Sequence, residues 1–158
     1  MSLSGRCGCG RVKFTINDVP LFTQACHCLD CQRTTGSAFV IHSIVAETDF
    51  NIEGSTSMNT IPTGSGAGCD LHFCTICGTY LWCRYRYHQV PVIAVRGGTL
   101  DDTAAVRPQV HIFTRSKQSW FLLPDDVPAY EGACGREGVW PEASVRKYNA
   151  LAPISQRS

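Results

Sequence analysis

The chain has no cluster of lysines or arginines, and 14 basic residues against 13 acidic ones leave a formal charge of +1. This balance removes the electrostatic footprint of a nucleic-acid binder and the polybasic patch of a membrane anchor. No apolar run approaches the roughly 18 residues of a membrane span, and the N-terminus lacks the apolar core of a secretory signal. A cytoplasmic protein without nucleic-acid or membrane partners is therefore expected. Few windows repeat apolar residues at helical spacing over three turns, which excludes a helix bundle or coiled coil. There is also no internal repeat and no low-complexity block.

What remains is a series of short apolar stretches divided by turns. Val12, Phe14 and Ile16 alternate with Lys13 and Thr15, which predicts a half-buried strand. Leu21 to Ala25, Phe50 with Ile52, Leu71 with Phe73, Tyr80 to Tyr87, Val90 to Val95 and Val110 to Thr114 predict further strands, and the longer run Ala38 to Ala46 predicts a central one. Eight to ten short strands in 158 residues make a mainly β domain. A helical turn is predicted at 29–35 and a short helix at 142–150. The expected division is one domain over 5–132 and a C-terminal tail over 133–158.

Cysteine is the excess: ten residues, at 7, 9, 26, 28, 31, 69, 74, 77, 83 and 134. Without a secretory signal, clustered cysteines read as metal or redox chemistry rather than disulfides. Chance would give roughly one pair at C-x-C or C-x-x-C spacing, and the chain has four. Cys74-Thr75-Ile76-Cys77-Gly78 reads as half of a zinc site, because two thiolates two residues apart grip one ion when the chain turns between them. Gly5-Arg6-Cys7-Gly8-Cys9-Gly10 is the natural other half. Together Cys7, Cys9, Cys74 and Cys77 would close a structural site.

Cys26-His27-Cys28-Leu29-Asp30-Cys31 differs, with three thiols in six residues. Three ligands with a fourth position open is the arrangement of functional zinc. His27 would close the site if it joined, but it lies between two ligands and its backbone direction points it elsewhere. The competing interpretation is a single zinc and a cluster of reduced thiols. Cys69, Cys83 and Cys134 stand alone and read as inert.

The cysteine order resembles a known family. Cys-Gly-Cys-Gly, then Cys-His-Cys-x-x-Cys-Gln-Arg-x-x-Gly, then Phe-Cys-x-x-Cys-Gly is similar to the glutathione-dependent formaldehyde-activating enzymes, the family that includes centromere protein V. Arg96-Gly97-Gly98-Thr99-Leu100-Asp101-Asp102, His111-Ile112-Phe113 and Ser119-Trp120-Phe121 extend the resemblance. It implies a β-tent of antiparallel sheets stapled by zinc. It also implies two zinc ions per chain, one structural at Cys7, Cys9, Cys74 and Cys77, the other functional and catalytic at Cys26, Cys28 and Cys31. The implied reaction joins a thiol such as glutathione to an aldehyde such as formaldehyde, a carbon–sulfur lyase activity with S-hydroxymethylglutathione as product.

Charge arithmetic supports a thiol at that site. Zinc with three thiolates is a weak Lewis acid of net charge −1, poor at making hydroxide but able to hold and release a fourth thiolate. His27 and Arg33 are the candidates for substrate contact and proton supply, with Gln32, Gly36 and Ser37 facing the peptide. Tyr80, Trp82, Arg84 and Arg86 alternate along a strand and could flank an anionic ligand; His42, His72 and His111 read as structural. Two other functions compete: a non-catalytic zinc module for protein interaction, and a thiol redox enzyme such as a methionine sulfoxide reductase, which would need an activated cysteine free of metal.

Overall fold

A computed structural model describes residues 2–154. The described residues fold into ten strands and two α-helices. The strands are β1 (Leu3–Arg6), β2 (Lys13–Ile16), β3 (Phe22–Cys26), β4 (Val40–Ala46), β5 (Phe50–Glu53), β6 (Thr56–Ile61), β7 (Cys69–Cys74), β8 (Tyr80–Tyr85), β9 (Val92–Arg96) and β10 (Val110–Ile112); the helices are α1 (Leu29–Thr35) and α2 (Glu142–Ala150). A mainly β protein is what the alternating apolar stretches predict. No helix among the described residues is long and apolar enough to cross a membrane.

Two sheets result. The smaller has the order β1-β2-β5, and the larger runs β10-β3-β4-β9-β8-β7-β6. The alternation in β2 sends Phe14 and Ile16 inward and leaves Lys13 and Thr15 in solvent. β4 and β9 lie inside the large sheet and are mostly apolar and buried on both faces, with every residue of β9 buried, as expected for strands covered on both sides. β6 has no such signature: Thr56–Ile61 is an edge strand whose middle four residues are exposed, so its sequence carries no apolar alternation to predict it.

All the larger sheet's ladders are antiparallel except one, since β10 runs parallel to β3 with Ile112 beside Cys26. The sheets are otherwise antiparallel, as the resemblance implies, and this single ladder makes the larger one mixed. The chain between β9 and β10 contains two short 3-10 turns, at Gly97–Thr99 and Thr103–Ala105, and returns β10 to the far edge in the same direction as β3.

The large sheet separates two apolar clusters. Val12, Phe14, Ile16, Val45, Leu81, Trp82, Ile93 and Val95 fill the space toward the small sheet. Phe22, Val40, Ile44, Leu71, Cys83, Val92 and Val110 form the other, and the C-terminal residues Trp140 and Tyr148 complete it. Trp140 stacks on Phe22 at 5.1 Å between ring centroids and meets Tyr148 edge-on at 5.7 Å. Two aromatic side chains buried there stabilise the fold by several kcal/mol on area grounds. Lys147 holds α2 to the β2–β3 connection and the turn before β5 through Asp18 at 2.6 Å and Asp49 at 2.7 Å.

Candidate metal centre

The strand ends bring the cysteines together in two sets. Cys7 and Cys9 sit in the loop between β1 and β2, and Cys74 and Cys77 flank the β7–β8 turn. All four sulfurs lie within 4.8 Å of one another. Cys7 Sγ is 3.5 Å from Cys9 Sγ, which is 3.9 Å from Cys74 Sγ. Tetrahedral zinc with bonds of about 2.3 Å requires sulfur separations of about 3.8 Å, so these residues fit the ion. Backbone geometry prepares them. Val12 N–H donates to Cys7 Sγ at 3.2 Å and Ile76 N–H to Cys74 Sγ at 3.4 Å. Gly78 takes φ +69°, which lets its N–H return to the Cys74 carbonyl at 3.0 Å. Hydrogen bonds from Thr79 hold the Cys77 thiol down at about 5, favouring the thiolate that a metal needs.

Cys26, Cys28 and Cys31 form the second set, again with all sulfurs within 4.8 Å. Cys26 ends β3, Cys28 is the N-cap of α1, and Cys31 occupies its first turn facing the sheet. The N–H of Cys31 donates to Cys28 Sγ at 3.3 Å. Hydrogen bonding to the neighbouring thiols and burial push the Cys26 thiol well up, while the same sulfur contacts hold Cys28 far below an ordinary thiol. Three thiolates this close repel unless a cation joins them, and soft sulfur donors suit zinc. Tyr85 adds a proton-bearing group, its hydroxyl 3.9 Å from Cys31 Sγ; burial raises that hydroxyl well above its usual value and keeps it protonated.

His27 does not join the sulfurs. It points to the opposite side of the chain, 1% exposed, with Nε2 2.9 Å from His111 Nδ1 and its ring among Phe39 and Phe121. Burial pushes it down to about 4, so it is neutral near pH 7. Gln32 is absorbed locally as well: its Nε2 donates to the carbonyls of His27 and Ser116, each at 2.8 Å. Arg33 remains exposed and lines a shallow recess of about 360 Å³ with Leu29, Gly36, Ser37, Gln118 and Trp120.

The β8 stripe splits. A bulge opposite His72 and Phe73 makes Leu81 the extra residue, so Tyr80 and Trp82 pack into different clusters. Arg84 pairs with Glu47, and Arg86 with Asp70 at 2.7 Å, which leaves neither cation free for an anionic ligand. His42 and His111 are buried, and His72 stacks on Trp82 at 4.8 Å. Cys69 and Cys83 are buried and Cys134 is half-buried. Two residues near the site escape sequence reasoning, Tyr85 and Arg96. Arg96 had one signal, a charge closing an otherwise apolar strand.

The family model of the glutathione-dependent formaldehyde-activating enzymes matches residues 2–116, a span that contains both sulfur clusters. The chain belongs to that family. Membership points to lyase-type chemistry, and the family's name ties it to glutathione and formaldehyde. A solved Rhodobacter sphaeroides protein, a structural-genomics target, is similar at 21% identity with a TM-score of 0.49, covering 66% of this chain and 91% of that one. No curated protein matches the chain. Within this formaldehyde-activating family member, the β1–β2 loop and the β7–β8 turn offer four sulfurs to a metal, and the start of α1 offers three.

Proposed function

We propose that this chain is a zinc-dependent carbon–sulfur lyase that joins a thiol such as glutathione to an aldehyde such as formaldehyde. In this reading Cys7, Cys9, Cys74 and Cys77 hold a structural zinc, and Cys26, Cys28 and Cys31 hold the functional one. The observation that carries it is the three-sulfur set on a single helix start, which leaves a tetrahedral ion one position for a substrate.

A bound zinc would supply a thiolate site of low Lewis acidity, suited to activating sulfur rather than water. The chain's own residues do the rest. The β3 end and α1 fix the three sulfurs rigidly through the Cys28 cap. In the overall reaction the thiol loses its proton, sulfur bonds to the aldehyde carbon, and the carbonyl oxygen gains a proton, giving a hydroxymethyl thioether with no change in redox state. Tyr85 is the proton-bearing hydroxyl against the cluster and replaces His27 in that role, because neutral His27 faces away. Arg33 and Ser37, at the exposed recess beside α1, are proposed to meet the peptide part of the thiol.

Metal analysis tests the reading. Protein produced with ample zinc should bind close to two ions per chain, and the three-sulfur site should empty first to a chelator because its fourth position exchanges. A zinc content that stays at one after zinc addition would remove the functional site and leave a non-catalytic zinc module.

A further inference from the structure

Arg96 ends β9 and is 5% exposed, yet no carboxylate pairs with it among the described residues. Its Nη2 donates to Cys83 Sγ at 3.3 Å, and its guanidinium lies 3.9 Å over the Tyr80 ring. Nε and Nη1 have no partner, nor has the Tyr80 hydroxyl. Both nitrogens of His42, which faces Arg96 across the β4–β9 ladder, are also unpartnered. Stacking on Tyr80 offsets part of the cost of burying the charge, but a buried guanidinium is strongly destabilising without an anion. Buried donors left open in a native fold point to a partner that arrives from outside.

The route for that partner is present. Tyr80 and Arg96 line a recess of about 500 Å³ between the last turn of α1 and the sheet, with Thr34, Thr35, Ser37 and Phe39 on its other side. Thr34 and Thr35 follow Cys31 by three and four residues, which places all three on one helix face about 5.4 Å apart along the axis. The recess therefore opens about one helical turn from Cys31, although the three cysteines do not line it. The threonine hydroxyls give their protons to the carbonyls of Asp30 and Cys31, so the side-chain donors left are the buried Arg96, the buried hydroxyl of Tyr80 and the exposed Ser37 at the rim. Burial brings Arg96 down only to about 10, and it stays a cation at neutral pH.

We infer that this recess is a carboxylate subsite, in which Arg96 and Tyr80 receive the C-terminal carboxylate of a thiol peptide whose sulfur sits at Cys26, Cys28 and Cys31. The inference rests on the thiol–aldehyde reading and deepens it by naming how the thiol is selected. Guanidinium and carboxylate match in geometry as well as charge. In glutathione that carboxylate is closer to the sulfur, counted in bonds, than the other one, which suits a subsite one helical turn away.

Four ligands decide the matter on zinc-loaded protein, by calorimetry: glutathione, glutathione with its glycine carboxylate converted to the amide, S-methylglutathione and its matching amide. Wild type should bind the acid about tenfold more tightly than the amide. Arg96→Met should bring that ratio close to one, and Tyr80→Phe should lower it a few-fold while leaving the fold intact. An unchanged ratio in Arg96→Met overturns the subsite. Equal weakening of acid and amide together with loss of zinc also overturns it, because Arg96 would then serve only as a counter-charge to the sulfurs. If the S-methyl pair shows the Arg96-dependent preference while the free thiol adds nothing, the lyase reading falls and the subsite stands. If the thiol matters and the carboxylate does not, the reverse holds; if no ligand binds wild type, both fall.

Discussion

Replacing one cysteine in each cluster should have opposite consequences, and the topology sets the size of the difference. Cys74→Ser opens the site that ties the β1–β2 loop to the β7–β8 turn, with Cys9 and Cys74 lying 65 residues apart in the chain. Structural zinc binding carries on the order of 10 kcal/mol of apparent free energy, comparable to the whole net stability of a domain. Cys74 is also 2% exposed, so the serine hydroxyl is left in an apolar setting. Cys28→Ser opens a site contained within six residues. Relative to that short loop, the longer closure costs about 2 kcal/mol more in chain entropy, and it joins two sheets rather than one helix start to its own strand. Cys74→Ser should be unfolded or insoluble. Cys28→Ser should fold, melt within a few degrees of wild type, keep one zinc and lose thiol-dependent aldehyde turnover. Thermal melting, metal content and activity on both variants side by side make the comparison. Unfolding of Cys28→Ser as readily as Cys74→Ser would refute the reasoning, because the three-sulfur set would then be structural; full activity in that variant would move the chemistry elsewhere.

Glutathione should bind far more tightly than S-methylglutathione, since an open thiolate site prefers sulfur that can ionise; indistinguishable calorimetric affinities would remove sulfur ligation. Acid should destabilise the fold through histidine: burial pushes His27 and His88 down to about 4, and His42 well below its usual value. The unfolded chain then binds more protons below about 6.5, so stability falls as pH drops from about 6.5 toward 4 and levels off above. His88 meets the Tyr148 hydroxyl at 2.8 Å, and His88→Asn, which can keep that contact, should flatten the urea-midpoint dependence relative to wild type over the same window. Gly5→Ala should cost about 2–3 kcal/mol, because an added Cβ would sit 2.2 Å from Phe14 Cζ and 2.6 Å from the Thr99 carbonyl oxygen; a melting temperature equal to wild type would show that β1 can move aside.

Local chemistry was legible in the residues themselves. The alternation of Val12, Phe14 and Ile16, the apolar run ending at Ala46, the turn at 29–35 and the helix at 142–150 each follow from a few neighbours in sequence, where periodicity and burial are one signal. The two cysteine sets were legible for the same reason, since a metal ligand pair on one turn leaves its spacing in the chain. Tertiary structure decided what depends on distant partners. The direction of β10 is set by a crossover that no pattern in Val110–Ile112 records. A bulge at Leu81 moves Tyr80 to the other face from Trp82, and a one-residue shift in a strand reverses every side chain beyond it. His27 read as a candidate for substrate contact and proton supply, but its ring is claimed by His111 from β10, a strand 84 residues away. In the sequence Arg96 was only part of a stretch that extends the family resemblance; the ladder to His42 and the packing of Tyr80 bury it, and burial is what turns an ordinary arginine into a charge that needs an anion.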